Sequence, residues 1–277
     1  MMIRFPFLVV LVLVISTVRY RMAKAESNDV YTLESVREDL VKQEDTIVFG
    51  LIDRARFPMN YHTYDENYWK IPGFCGSLVE CVVQNTEAIQ AMAGRYQNPE
   101  ENAFFPEHLP SPIVPSYPFT QILHPGAASI NINKSIWKNY FDELLPILVA
   151  SGDDGNYAQT AASDLSLLQA ISRRIHYGKF VAEAKFRESP QDYEPLIRAK
   201  DTEGLMKLLT FESVQEMVIK RVEKKAMVFG QEVGLNSDDE KEVKRKFDPS
   251  VASSLYQKWI IPLTKEVEVE YLLRRLD

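Results

Sequence analysis

Helical periodicity runs through nearly the whole chain, and nowhere do apolar and polar residues alternate long enough to make a strand. That pattern confines the fold to helices packed on helices. Leu33, Val36, Leu40, Ile47, Val48, Leu51, Ile52 and Ala55 recur at helical spacing across residues 32–56, and Pro58 ends the run. Further helices are expected over 76–96, 134–150, 157–187, 193–199, 201–208, 211–230 and 248–276. Ser189-Pro190 should stop the long 157–187 helix, and Pro262 should kink the last one.

One stretch cannot join this pattern. Residues 98–132 hold seven prolines, at positions 99, 106, 110, 112, 115, 118 and 125. Proline lacks the N–H that a helix needs, so most of the stretch must be loop. Loops this long are uncommon in a compact domain unless they serve a function or an interface, or are mobile. Residues 231–247 read as a second, charged surface loop. With no internal repeat and no composition break, residues 26–277 read as one domain.

Residues 1–25 stand apart. Arg4 precedes an apolar run over 5–18 that is too short to span a bilayer comfortably, and Ala23-Lys24-Ala25 fits a cleavage site. This is the pattern of a secretory signal peptide, with a secretory or extracellular destination. Arg19, Arg21 and Lys24 make the downstream flank the more basic one, so an anchor or a non-targeting extension stays open, with the cytosol as the alternative compartment. Any membrane contact would run through this leader if uncleaved.

Charge and cysteine use exclude several classes. Against 39 Asp and Glu stand 32 Lys and Arg, a net charge of −7 that argues against nucleic acid as a partner. The basic run 173–179 is too short to change this. Cys75 and Cys81, if both helical, would lie about 9 Å apart along the axis, too far to bridge. The sequon Asn133-Lys134-Ser135 reads as a helix N-cap rather than a glycan site. His62, His108, His124 and His176 are scattered, without metal-ligand spacing, and neither a phosphate loop nor a nucleophile elbow is present. No cofactor and no metal are expected.

Chemistry is carried by charged groups on helices. Arg174 and Lys185 lie eleven apart, near three helical turns, on one largely apolar face. They could converge on a small anion, although on spacing alone a solvated basic edge is the plainer reading. Thr264 and Glu268 share a face at i and i+4, and Glu266 and Glu270 flank Glu268. Taken alone, Arg37 reads as a surface residue.

Four strings carry a resemblance. REDL at 37–40, QEDTI at 43–47, SRRIHYGKFVAEAKF at 172–186 and PLTKEVEVEYLLRRL at 262–276 closely resemble the eukaryotic, all-helical chorismate mutases, most of all the plant cytosolic type. The resemblance covers about residues 31–277 and implies an all-α, multi-helix, homodimeric fold with one long proline-rich loop. It implies conversion of chorismate to prephenate, a [3,3]-sigmatropic rearrangement on the route to phenylalanine and tyrosine. By position, Arg37 and Arg174 match the arginines that grip the two carboxylates, and Lys185 the lysine that reaches a carboxylate and the ether oxygen. Glu268 matches the carboxyl that must be protonated to donate to that oxygen. Burial near other acids would favour that form and a mildly acidic optimum. Thr264 matches a hydroxyl contact one turn earlier.

Two departures from the family pattern stand out. Gln215 occupies the place of a glutamate that binds the ring hydroxyl; it can still accept a hydrogen bond but carries no charge. A weakened or non-catalytic protein acting by dimerisation on the same fold is therefore the alternative function. Family effector sites lie at the dimer interface and use a pair at the position of Gly94-Arg95 and an Asn-(Phe/Tyr)-Gly-Ser turn. This chain has Asn156-Tyr157-Ala158-Gln159 there. The Ala158 methyl stands where glycine lets an effector approach, so insensitivity to aromatic amino acids is expected.

Overall fold

The computed structural model describes residues 31–232 and 244–277, so the leader 1–25 and most of the 231–247 loop lie outside the described residues. Eleven α-helices are described. They are α1 (Leu33–Arg54), α2 (Leu78–Met92), α3 (Asn133–Asn139), α4 (Leu145–Leu148), α5 (Tyr157–His176) and α6 (Gly178–Glu188). There follow α7 (Pro190–Ala199), α8 (Thr202–Leu209), α9 (Glu212–Phe229), α10 (Pro249–Leu255) and α11 (Ile261–Arg274). Among the described residues there is no strand, only a single antiparallel bridge between Gln231 and Arg245. Leu33–Asp277 pack as one unit.

The apolar stripes decide which faces meet. α1 buries Val36, Ile47, Val48 and Leu51 along α5, which contributes Leu167, Leu168, Ile171 and Ile175. α6 lies along α11, and α9 packs on α10 and on α1. Leu33 and Leu40, expected in the core, are only half-buried because they line a cavity. α2 starts where Ser77 and Glu80 form a reciprocal capping box.

The expected helices differ from those observed in three details. The 157–187 run is interrupted at Tyr177, dividing it into α5 and α6. Pro190 stops α6 but also opens α7, since proline suits the first helical position where no N–H is needed. The third difference occurs twice. Turns of π-helix at Tyr140–Leu144 and Tyr256–Ile260 lead directly into α4 and α11, which carry Pro146 and Pro262 at their second positions. The wider turn relieves the clash between each ring and the carbonyl four residues earlier.

The proline-rich segment is loop with two short 3-10 turns, Pro106–His108 and Pro125–Ser129, and another, Arg95–Gln97, just before it. Its ends are held by side chains. Buried Glu87 accepts from the N–H groups of Phe104 (2.9 Å) and Phe105 (3.0 Å). His176 Nε2 accepts from the Ile132 N–H at 3.0 Å, while its Nδ1 lies 2.8 Å from the Ser172 carbonyl. Residues 111–121 are exposed throughout.

Asn133 corrects an expectation. It is not the N-cap, a place taken by Ile132. It is buried, donates through Nδ2 to the Asn102 carbonyl at 2.9 Å and accepts from Ser172 Oγ at 2.6 Å, which leaves no room for a glycan. A second polar knot ties α1 to α5: Arg54 and Asp164, both fully buried, pair at 2.6 Å, and Tyr64 and Tyr140 each donate to Asp164 at 2.7 Å.

Candidate active site

One cavity of about 390 Å³ opens between α1, α5, α6, α9 and α11, a size suited to a small molecule. Arg37, Arg174, Lys185, Gln215, Thr264 and Glu268 all line it. The structure therefore brings together from five helices residues that are up to 231 positions apart in the chain.

Each is placed by its helix. Arg37 projects from the first turns of α1 and is exposed; among the described residues no carboxylate pairs with it. Two residues on, Asp39 accepts from Tyr177 Oη at 3.0 Å and ties α1 to the turn between α5 and α6. Arg174, 5% exposed at the end of α5, donates through Nη1 to Thr264 Oγ1 at 3.3 Å and lies over the Tyr256 ring. Thr264 in turn donates to the Ile260 carbonyl at 2.6 Å, in the last residue of the π turn. Lys185 Nζ meets Glu268 Oε2 at 2.9 Å, with both side chains largely buried. Gln215 sits half-buried on the first turn of α9.

α6 and α11 can come this close because residue 178 is glycine. A Cβ there would stand 2.7 Å from the Thr264 carbonyl oxygen and 3.4 Å from Glu268 Cγ.

Glu268 is buried beside Lys185, its neighbour Glu270 pairs with Arg274, and Glu266 is exposed.

Sequence reasoning missed several lining residues. Glu44, 1% exposed, accepts from Arg221 through both oxygens (2.9 and 2.5 Å) and is 3.1 Å from Lys225. Glu44 lies seven residues after Arg37, two turns along one face of α1, a spacing that could have revealed it. Phe211, Lys265 and Arg221 also line the cavity. Tyr256 backs Arg174, and burial pushes its phenol well above the usual range, keeping it neutral.

The electrostatics are lopsided. Arg37, Arg174, Lys185, Arg221 and Lys265 supply five cations against two carboxylates, Glu44 and Glu268. The remaining lining is mostly apolar, from Leu33, Val36, Val181, Val214 and Met217 among others. Such a site suits a small, doubly anionic molecule with an apolar body. Among the described residues no cluster of His, Cys, Asp and Glu could hold a metal ion.

The effector positions are not gathered in this way. Arg95 is tied within its own chain: Nε and Nη2 donate to Glu101 at 3.1 and 2.9 Å, and Nη1 to Gln169 at 2.6 Å. Gln169 lies ten residues, about 15 Å, along α5 from Gln159. Gly94 adopts a positive φ of 85°. Asn156, Ala158 and Gln159 are exposed, and Tyr157 Oη donates to Asp153 at 2.9 Å.

Known proteins share this sequence and shape. A family model described as chorismate mutase type II matches residues 156–269, which include Arg174, Lys185, Gln215, Thr264 and Glu268. Chorismate mutase 2 of Arabidopsis thaliana is 60% identical over 252 residues, covering 90% of this chain and 95% of its own. The cytosolic chorismate mutase 2 of Zea mays is 51% identical over 257 residues, covering 91% and 99%. The crystal structure of the chloroplast chorismate mutase from Zea mays matches with a TM-score of 0.82 at 52% identity, covering 91% of this chain and 98% of that one. That of AtCM1 with phenylalanine bound in its allosteric site matches with a TM-score of 0.83 at 51% identity, covering 91% and 99%.

The relatives whose names give a compartment overturn the secretory destination expected from residues 1–25: those of Zea mays are called cytosolic and chloroplastic. Among the described residues no helix is long and apolar enough to cross a membrane. At such identity over nearly its whole described length, with the same all-helical fold, the chain belongs to the eukaryotic chorismate mutases.

Proposed function

We propose that this cavity rearranges chorismate to prephenate using Arg37, Arg174, Lys185, Gln215, Thr264 and Glu268. The observation that supports it most is their convergence on one cation-rich pocket of substrate size. The reaction is unimolecular and needs no covalent catalyst. What it needs is a compact substrate conformation and compensation of charge on the breaking ether oxygen. In this reading Arg37 and Arg174 hold the two carboxylates by planar, bidentate pairing. Lys185 reaches a carboxylate and the ether oxygen, and protonated Glu268 donates to the same oxygen. Thr264 fixes Arg174 and offers its hydroxyl nearby, and Gln215 accepts from the ring hydroxyl. The apolar wall takes the carbocycle. A spectrophotometric assay of chorismate loss tests the proposal; no turnover would favour a non-catalytic protein acting through dimerisation.

The active form is proposed to be a homodimer. Ile89, Ile113, Tyr117 and Ile147 are large apolar residues left at least 49% exposed on one chain, and a second copy would cover such surface. Light scattering at assay concentrations tests this.

Effector response is proposed to be weak. AtCM1 binds phenylalanine in an allosteric site. Here the Ala158 methyl, the Gln159 side chain and the bonds of Arg95 to Glu101 and Gln169 each work against a bound amino acid. Assays with tryptophan, tyrosine and phenylalanine should change the rate less than twofold; a several-fold change by any of them overturns this part.

A further inference from the structure

Phe211 breaks two local rules. It is the N-cap of α9, a position where Ser, Thr, Asp or Asn would satisfy the orphan N–H groups, and it makes no side-chain cap bond. It is also a large aromatic residue left 54% exposed. Its main chain does ordinary work, its carbonyl accepting from the N–H groups of Val214 and Gln215, both at 3.1 Å. Any residue could supply that carbonyl. The ring needs another reason, and local rules are most often broken at functional sites.

The ring lines the cavity, with its centroid 5.8 Å from Lys185 Nζ, within the range of a cation–π contact. We infer that Phe211 is a positioning residue for Lys185, holding the ammonium by the ring face while leaving its N–H donors free for Glu268 and the substrate. The inference rests on the role proposed for Lys185 above.

A donor count supports it. An ammonium has three N–H donors. One goes to Glu268 at 2.9 Å, and the proposed reaction needs the other two, for a carboxylate and for the ether oxygen. A polar neighbour on Lys185 would consume a donor, and an acidic one would compete with the substrate's carboxylate. An aspartate at 211 would cap α9 better but would place that competitor in the pocket. The π-face attracts the charge without taking a donor. Because the backbone of Phe211 is bonded into the turn that carries Gln215, the ring also couples the positions of Lys185 and Gln215.

The test replaces Phe211 with mono-, di- and trifluorinated phenylalanine, which weakens the ring's negative face at nearly constant shape. Chorismate kinetics and unfolding midpoints are read for this series and for Phe211→Leu. Lys185→Met is measured beside them. Across the fluorinated series kcat/KM should fall stepwise, on the order of 2- to 10-fold, with part of the loss in kcat and unmoved midpoints. Phe211→Leu should lie at or below the end of the series. A flat series, with Lys185→Met inactive, overturns this inference alone. Near-normal turnover by Lys185→Met overturns the site reading beneath it.

Discussion

Lys185 Nζ and Glu268 Oε2 meet at 2.9 Å across the seam between α6 and α11, with both side chains largely shielded from water. Lys185→Met should lower kcat/KM by about 100-fold or more, the scale of losing a preorganised donor at a developing negative charge. Glu268→Gln keeps an N–H donor in place and should retain more turnover at neutral pH than Glu268→Ala. Steady-state chorismate kinetics order the three; equal activity of the two Glu268 variants would remove the donor role.

Gln215 lines the cavity without a formal charge. Gln215→Glu restores a charged acceptor for the ring hydroxyl and should act mainly on KM, by roughly the tenfold that ~1.4 kcal/mol represents. An unchanged catalytic efficiency would show that the position is unimportant here.

Gly178→Ala adds one methyl where the Thr264 carbonyl stands 2.7 Å away. That oxygen belongs to main chain and can yield only if α11 moves. Displacement of Thr264 and Glu268 by even part of an ångström should lower kcat about tenfold or more. The unfolding midpoint should fall as well, and a crystal structure of the variant would measure the shift.

His176 provides a pH test of stability. Burial, with help from the Lys179 charge, lowers its pKa from 6.5 to about 3. The folded state therefore binds fewer protons than the unfolded one between those values, and stability contributed by neutral His176 is lost as pH falls through that window. The slope should approach ~1.4 kcal/mol per pH unit for this group. Urea unfolding at several pH values should show a shallower acid dependence for His176→Gln than for the parent, although the variant starts less stable through its altered bond to Ile132.

Asp164 accepts from Arg54, Tyr64 and Tyr140 in a site without water exposure. Asp164→Ala leaves the Arg54 charge buried and uncompensated, and should cost about 3–5 kcal/mol by urea unfolding.

The helices were legible because the apolar period survives in nearly every one. The π turns were not, because widening a helix by one residue changes no side-chain type; only Pro262 hinted at one, as a kink, and Pro146 gave no sign. On spacing alone Arg174 and Lys185 could equally have lined a wet edge. What decides between a pocket and an edge is the opposing helix, and the α6–α11 approach depends on Gly178, whose role appears only once residues 178 and 264 are neighbours. Glu44 and Arg221 escaped notice because each looks like a surface charge until they meet across α1 and α9. The leader misled because length and hydrophobicity resemble a secretory signal whether or not one is read by the cell.

The charge inversion inside the cavity has a kinetic consequence. The molecule as a whole carries −7, so a dianion approaching from a distance meets repulsion, and attraction takes over only near the mouth. Dissolved salt damps fields beyond about 10 Å at 0.1 M, but weakens them less between groups already enclosed. Ionic strength should therefore trade one influence against the other during capture and leave the enclosed rearrangement untouched, so that KM drifts with added salt while the turnover of saturated enzyme stays level.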